Sequence, residues 1–278
     1  MVDLSIGKGR GRNIVAYIVG LVLVLVLVVP PLYMISISLK EGRDVFALPP
    51  KFIFKPSLEN YKVIFSSKGF LKVVWNTVFI SAVSTILTEA IGAMAAYSIA
   101  KFKTGGKPVL YSVLIMRVLP AVVLGLPMFI MFTKLRILDT VGGLVLAYVG
   151  FLLPNTVWLM IPFFQGIPKS IEEAAKIDGC SNFRTFISVS LPLCRSGLIV
   201  TTVYNITGAW NHFYYALTLA PTKTRVLSVE ASQYVGEYAV QWGTVAAISS
   251  VLIIPPAVLI FFIQKHLVAG MALGGVKG

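Results

Sequence analysis

The stretch FQGIPKSIEEAAKIDGCSNFRTFISVSLPL, residues 164–193, is the most informative part of this chain. It is polar and amphipathic, and long apolar runs flank it on both sides. Its helix-start and helix-stop signals, together with small residues between them, are typical of a short module that contacts another protein. We refer to residues 164–193 as the docking segment.

The composition around the docking segment is that of a membrane protein. Of the 278 residues, 57% are apolar and 13% are charged, and the mean hydropathy is +0.86. A soluble domain of this length needs more charge to cover its surface. Several windows exceed the roughly 18 apolar residues that mark a membrane-spanning helix. The sequence therefore predicts a multi-pass protein of the cell (inner, cytoplasmic) membrane.

Hydropathy predicts six transmembrane helices, each long enough at ~1.5 Å per residue to cross a ~30 Å hydrocarbon core. Lipid offers no hydrogen-bond partners, so the spans must be helical and the fold class is all-α. The first run is too long for a signal peptide and is interpreted as an uncleaved span. The predicted spans are 14–39, 72–100, 108–133, 140–163, 194–217 and 243–267.

These spans divide the chain into a tail at 1–13, a first helix at 14–39, an external loop at 40–71, a core at 72–267 and a tail at 268–278. Prolines in or near several spans, including Pro120 and Pro127, predict kinks.

An even number of spans places both termini on one side of the membrane. The basic residues of the first tail and of the loop holding Lys101, Lys103 and Lys107 favour the cytoplasm for that side. The net charge of +13 comes from basic residues in loops and tails, with no basic stripe on one element. Membrane lipid is therefore the expected partner of this charge, and nucleic acid is not.

The sequence of the docking segment predicts two short helices. Ser170 and Glu173 have the spacing of a capping box, which predicts a helix that starts at Ser170. Gly179 suits the left-handed position that ends such a helix. Ser181 is positioned to cap a second short helix, which ends near Leu191-Pro192.

Ala174 and Ala175 leave the first of these helices smooth enough for close approach by a partner. Two short helices at an angle would then form a knob for a groove on another protein. The alternative is an amphipathic hairpin that lies on the membrane surface. An acidic first turn facing anionic lipid weighs against that alternative.

The spacing Glu173-Ala174-Ala175, three residues, Gly179, nine residues, Val189, one residue, Leu191-Pro192 resembles the EAA loop of ABC importer permeases. The family favours isoleucine where this chain has Val189. Other short matches are similar to the carbohydrate branch, in particular to the smaller membrane subunit of maltose-type importers. They are Asn76-Thr77, Ala95-Ala96-Tyr97, Trp210-Asn211 and the tail Val268-Ala269-Gly270 to Gly278.

This resemblance implies a permease subunit that forms part of the pathway for a sugar, expected to be a di- or oligosaccharide. It implies a second permease subunit (a heterodimer), two cytoplasmic ATPase subunits and an external sugar-binding protein. The EAA loop would couple to the ATPase, with Glu173 making polar contacts and Gly179 giving the turn; the coupling set is Ser170, Glu173, Ala174, Ala175, Gly179, Leu191 and Pro192. The tail 270–278 would also reach the ATPase, unless it is a disordered end.

The chain itself lacks the residues of an enzyme. No GxxxxGK[ST] phosphate-binding loop occurs, since Gly105-Gly106-Lys107 is followed by Pro108. No catalytic or metal-ligand spacing involves its cysteines and histidines, which are Cys180, Cys194, His212 and His266. We therefore expect no cofactor on this chain, and ATP and Mg on the partner ATPase subunits.

A second class of function is an ion-driven secondary carrier or a channel subunit, which often carries charges at mid-membrane depth. Glu89 and Arg117 lie well inside predicted neighbouring spans, each ~15 Å deep at ~1.5 Å per residue. The sequence therefore predicts an intramembrane Glu89–Arg117 ion pair, acting as a structural lock or as a transport relay.

Sugars are commonly bound between aromatic faces and a few polar groups. Thr207, Trp210, Asn211 and Tyr214 have the spacing of one helix face and are the predicted substrate-pathway residues. Aromatic residues also collect at membrane interfaces for reasons unrelated to ligands, so that alternative stays open.

Overall fold

The computed structural model describes residues 10–236 and 240–275, with side chains placed over 14–236, 240–261 and 263. Over this part of the chain no strand forms beyond one isolated bridge, Val235–Val240, so the all-α prediction is confirmed. The helices are α1 (Arg10–Ser38), α2 (Gly42–Val45), α3 (Glu59–Ser66), α4 (Phe70–Phe102), α5 (Gly106–Val118), α6 (Ala121–Lys134), α7 (Val141–Gln165), α8 (Lys169–Ile177), α9 (Asn182–Thr185), α10 (Leu191–Leu193), α11 (Arg195–Asn211), α12 (Phe213–Leu219), α13 (Leu227–Glu230) and α14 (Trp242–Gly275). A π-helical turn, Phe186–Ser190, joins α9 to α10, and a 3₁₀ turn, Ala231–Tyr234, follows α13.

Four helices are long and apolar enough to cross a membrane alone, namely α1, α4, α7 and α14. Two further pairs of helical segments are long and apolar enough only when taken together, and each pair is bent at a break: α5 and α6 meet at 96°, and residues 182–193 meet α11 at 81°. Counting each pair once gives six, the predicted number.

The predicted span 108–133 is divided into two helices at Pro120, where the sequence predicts a kink. The chain leaves the helix at Leu119, whose backbone is extended (ψ 122°), and α6 starts after Pro120. Proline has no N–H and forces the preceding residue out of the helical region, so the break falls at this pair. Pro127, by contrast, lies inside an unbroken α6.

The predicted span 194–217 is also interrupted. Its helix α11 ends at Asn211, and the extended backbone of His212 separates it from α12. The His212 carbonyl accepts a hydrogen bond from the Tyr148 hydroxyl at 2.9 Å. This bond from α7 satisfies a carbonyl that the helix would otherwise have used.

Two compact units divide the chain, and the first comprises the residues up to 66 together with 234–253. Most of the predicted loop 40–71 belongs to this unit and contains α2 and α3. The Lys40 side chain is buried, with its ammonium 5.2 Å from the Tyr33 ring centre and 5.1 Å from that of Phe54. The Asn60 amide donates to the carbonyls of Ser38 and Lys40 at 3.0 and 2.9 Å. The loop is therefore folded against the end of α1.

The second unit comprises 67–233 and the residues from 254 onward, and its core is the pairing of α4 with α7 and α11. Helices α4 and α7 approach closely at Gly92, where an added Cβ would lie 2.7 Å from Thr156 Cγ2. One apolar cluster surrounds Tyr148 and Tyr215, and another surrounds Tyr97 and Phe164. The second cluster includes Phe186 and so connects the bundle with the docking segment.

Connecting segments gather at the two ends of this second unit. At the end where α4 begins, Asn76 donates to the Arg225 carbonyl at 3.0 Å and the Leu227 amide donates to the Thr77 hydroxyl at 2.8 Å. At the end where α4 finishes, Lys101 donates to the Ile167 carbonyl at 3.0 Å. The 101–107 loop and the docking segment therefore share one end, as the span count requires.

Asp139 forms a clamp at the opposite end, in the turn between α6 and α7. One carboxylate oxygen accepts from the Thr224 amide at 3.0 Å, and the other accepts from the Lys223 amide at 2.9 Å and from the Thr222 hydroxyl. Partial burial acts to raise the pKa of Asp139, but these donated bonds outweigh it and hold the pKa below its ordinary value. The clamp ties the 222–224 segment to α7.

The chain ends differ from the predicted tails where they are described. Helix α1 begins at Arg10, inside the predicted tail 1–13, and residues 1–9 lie outside the described part. Helix α14 continues to Gly275, so the predicted tail 268–278 is helical as far as it is described. Residues 276–278 lie outside the described residues.

Candidate functional site

The N-cap of α8, the first helix of the docking segment, lies two residues before the Ser170 that the capping-box signal predicts. Its N-cap is Pro168, and Ser170 lies inside the first turn, so the capping box of Ser170 with Glu173 is wrong. Pro168 has φ −56° and ψ 136°, a conformation that leads directly into a helix. The Ile171 amide donates to its carbonyl at 3.2 Å, which closes the first turn without help from Ser170.

The inner face of α8 carries a buried ionic cluster. Glu172 Oε2 lies 3.1 Å from Lys101 Nζ, and their side chains are only 11% and 10% exposed. The Ser190 hydroxyl donates to Glu172 Oε1 at 2.8 Å. The Lys101 ammonium also donates to the Ile167 carbonyl, so it is satisfied on two sides. This cluster, which we name the anchor cluster (Lys101, Glu172, Ser190), joins α8 to the end of α4 and to the π turn before α11.

Gly179 ends α8 in the left-handed conformation that its position predicts, with φ +81°. Its amide donates to the Lys176 carbonyl at 3.0 Å, and the Cys180 amide donates to the Ala175 carbonyl at 2.9 Å. These two bonds make a Schellman motif, which satisfies carbonyls that the helix end leaves free. No atom lies within 4 Å of the position of an added Cβ, so backbone conformation alone selects glycine here.

The second half of the docking segment turns the chain back into the bundle. The Ser181 hydroxyl accepts from the Arg184 amide at 3.3 Å, which confirms the predicted cap of the second short helix. The Leu191 amide then donates to the Phe186 carbonyl, an i to i−5 bond that makes the π turn. Pro192, at the start of α10, has no amide to donate in the usual pattern. Phe186 is buried by this turn and packs on Tyr97, with ring centres 5.0 Å apart.

The outer face of the docking segment is open. Glu173 and Ala174 are exposed, whereas Ala175 is buried against the bundle. Ile177 is 87% exposed and Phe183 is 65% exposed, so two large apolar side chains are left largely uncovered at this end of the unit. We name the surface formed by these outward residues, Glu173, Ala174, Ile177 and Phe183, the docking face. Its role in coupling to an ATPase stays a prediction, as does that of Ser170, Leu191 and Pro192.

The predicted Glu89–Arg117 ion pair is wrong. Both Glu89 oxygens face α11, 3.0 Å from the Thr201 hydroxyl and 2.9 Å from the Asn205 amide nitrogen. Arg117 is exposed near the end of α5, with its guanidinium 6.0 Å from the Trp158 ring centre. The rise per residue predicts depth, but α4 and α5 each pack mainly against α7, so equal depth does not bring the two side chains together.

The predicted substrate-pathway residues do not share one helix face. Thr207 and Trp210, on α11, line a cavity of about 100 Å³ with Pro255 and Pro256 of α14. Asn211 is exposed and its amide donates back to the Thr207 carbonyl at 3.0 Å. Tyr214 follows the break at His212 and belongs to α12, where its hydroxyl donates to the Val122 carbonyl at 3.2 Å.

Sequence reasoning missed the inward residues of the docking segment. Glu172 and Ala175 are three apart and both face the bundle, a spacing that marks the inner side of an amphipathic helix. That spacing, with Lys101 in the adjacent loop, is the signal that would have found the anchor cluster. No group of three or more His, Cys, Asp or Glu residues able to hold a metal occurs among the side chains that the structure places.

Comparison with known proteins agrees with this architecture. The trehalose transport system permease protein SugB of Mycobacterium tuberculosis is 32% identical over 256 residues, which covers 90% of this chain and 92% of that protein. The trehalose/maltose transport system permease protein MalG of Thermococcus litoralis is 28% identical over 281 residues, covering 96% and 98%. The crystal structure of a bacterial ABC transporter that imports the acidic polysaccharide alginate contains a chain with the same fold. Its TM-score is 0.76 at 21% identity, with 93% of this chain and 98% of that chain covered.

The family described as binding-protein-dependent transport system inner membrane component matches residues 89–273, a range that contains the docking segment and most of the bundle. By this match, and by its identity with SugB over nearly its whole length, the chain is a member of that family of ABC importer permeases.

Proposed function

We propose that this chain is one of two different permease subunits in an importer of a di- or oligosaccharide. Two cytoplasmic ATPase subunits would bind and hydrolyse ATP with Mg, because this chain has no phosphate-binding loop of its own. An external sugar-binding protein would deliver the substrate. Both termini would lie in the cytoplasm, on the side of the docking segment.

The observation that carries this proposal is the two-sided construction of the docking segment. Its inner face is fixed to the bundle by the anchor cluster, and its outer face leaves Ile177 and Phe183 largely exposed. A hairpin resting on lipid would not need Glu173 outward on the same surface. An exposed surface that combines large apolar side chains with a carboxylate suits a protein cleft.

The anchor cluster gives the docking segment a mechanical connection to the bundle. Glu172 of α8 is bonded to Lys101 at the end of α4 and to Ser190 just before α11. A displacement of α8 by closing ATPase subunits would therefore move the ends of both helices together. Such rigid-body motion would alternate the access of a central pathway between the two sides of the membrane.

The sugar assignment is supported by the relatives, whose names specify trehalose and maltose transport, and by the alginate importer that shares the fold. Within this chain, Thr207 and Trp210 lie beside a cavity and remain the predicted substrate-pathway residues.

Co-purification tests the proposal. The chain would carry an affinity tag and be co-expressed in its source cell with its chromosomal neighbours, then extracted in detergent and captured. We expect an ATPase and a second permease to be captured with it, and trehalose or maltose uptake to depend on the chain. Capture of the chain alone, or only as a homo-oligomer, would contradict the proposal and favour a carrier or channel.

A further inference from the structure

Glu89 is a carboxyl group inside a membrane-spanning helix whose partners are all neutral. It lies within α4, and its two oxygens contact the Thr201 hydroxyl and the Asn205 amide, at 3.0 and 2.9 Å. The ion pairs that the described residues form do not include it. Ionisable side chains are costly within a membrane and mark functional positions unless another charge compensates them. The absence of a compensating charge among the described ion pairs therefore marks Glu89 as a candidate functional residue.

The carboxyl group is held in a fixed orientation. Asn205 donates to Glu89 and lies 2.9 Å from the Thr156 hydroxyl, which in turn lies 3.0 Å from the Asn205 carbonyl oxygen. Thr156 and Asn205 are buried, so the relay runs through the packed core between α7 and α11. Supporting hydrogen bonds of this kind are typical of side chains whose position matters to a ligand.

Glu89 also borders an open cavity of about 370 Å³ between α4, the π turn and the start of α11. Thr202 is the other polar side chain on its wall. The remaining wall is apolar, formed by Ala90, Ala93, Met94, Phe186, Ile187, Leu191 and Leu198. A cavity of this size with a few converging polar groups has the form of a small-molecule site.

We propose that Glu89 and Thr202 form a hydroxyl-binding subsite on the route of the sugar through this subunit. Thr201, Asn205 and Thr202 each form a side-chain hydrogen bond with Glu89, which leaves the carboxyl group one further lone pair with which to accept from a sugar hydroxyl. The Thr202 oxygen can in turn accept from a neighbouring sugar hydroxyl. The apolar wall suits the C–H faces of a sugar ring. This inference rests on the proposed function and makes neutral, hydroxyl-rich sugars the ligand class.

Thiol accessibility in the assembled transporter tests the subsite. Cys180 and Cys194 would be replaced by alanine, and Thr202→Cys introduced into that background. A water-soluble cationic methanethiosulfonate would then be applied, with and without whichever of trehalose, maltose or cellobiose the wild-type complex imports. We expect the thiol to react, and sugar at about four times its Kd to slow the reaction about fivefold by occupancy.

Three further variants make the result specific. Adding Glu89→Gln should weaken the slowing of thiol modification by sugar, because an amide offers one acceptor oxygen in place of two. Adding Glu89→Ala should abolish that slowing, because no acceptor remains. Tyr204→Cys, on the same helix but not on the cavity wall, should show no sugar-dependent change.

Each contrary outcome is distinct. A Thr202→Cys thiol that never reacts would mean that a partner helix or lipid fills the cavity, and would overturn the subsite. A thiol that reacts at the same rate with sugar present would overturn it as well. Failure of the wild-type chain to assemble with an ATPase would instead contradict the proposed function.

Discussion

We predict that Glu172, and not the adjacent Glu173, holds the docking segment to the bundle through the anchor cluster. Glu172 and Glu173 are adjacent, yet Glu172 is paired with Lys101 at 3.1 Å and Glu173 is exposed. Replacing Glu172 by glutamine removes the charge that compensates a nearly buried ammonium. Replacing Glu173 by glutamine removes only a solvated charge, so it serves as the matched control.

The size of the effect follows from the burial of the pair. Breaking a buried ion pair by removing one partner costs about 3–5 kcal/mol, and the 10–11% exposure of these side chains places the cost near the lower figure. For a chain of this size about 1 kcal/mol shifts the unfolding midpoint by ~2–4 °C, so Glu172→Gln or Lys101→Met should lower it by ~6–12 °C. The double variant leaves no unpaired charge, so its unfolding midpoint should fall by less than that of the more destabilised single variant. Glu173→Gln should change stability by less than about 0.5 kcal/mol.

The assay is the fraction of monodisperse protein that remains after heating the detergent-extracted complex across a temperature series. Lys101→Met, Glu172→Gln, the double variant and Glu173→Gln would be compared with the wild type. If the two single losses simply add in the double variant, the side chains do not interact and the anchor is refuted. Equal losses for Glu172→Gln and Glu173→Gln would refute it too.

Three further predictions concern the turn, the clamp and the helix contact. Gly179→Val forces a β-branched residue to φ +81° and should abolish sugar-stimulated ATP turnover while membrane insertion is retained; unchanged stimulation would contradict the role of the turn. Asp139→Asn should lower the thermal midpoint by about 2–4 °C at neutral pH, through loss of charge-assisted bonds. Because the folded pKa lies below the ordinary value of 3.8, the wild-type advantage is full above that value and disappears as the pH falls through the folded pKa; a constant difference across a pH series would refute the clamp. Gly92→Leu should prevent α4 from closing on Thr156 and reduce the yield of folded protein, whereas Leu87→Ala on the same helix should not; equal yields would show that the contact is not tight.

Features set by local chemistry could be predicted from the sequence. The left-handed conformation at Gly179, the cap at Ser181 and the apolar spans depend on nearby residues alone. The docking segment was therefore located and divided into two short helices before the fold was known.

Features set by the rotation or termination of a helix could not be predicted in the same way. Glu89 and Arg117 do lie inside α4 and α5, but both helices pack mainly against α7, and this packing cannot be read from spacing along the chain. No proline marks the break at His212 in the sequence. The His212 carbonyl instead accepts a hydrogen bond from the hydroxyl of Tyr148, which lies 64 residues earlier in the chain. The start of α8 differs from the prediction because Pro168, two residues before Ser170, occupies the N-cap position.

Contact between the docking face and an ATPase subunit is the central claim, and site-specific photo-crosslinking measures it. A p-benzoylphenylalanine would replace Ile177, which is 87% exposed, or, as the control, Leu146 of α7, which is 55% exposed. After irradiation of cells that express the complete transporter, position 177 should yield a covalent adduct with the ATPase subunit and position 146 should not. An adduct of position 177 with lipid alone, or its reaction with a membrane-impermeant reagent applied from outside the cell, would contradict the account.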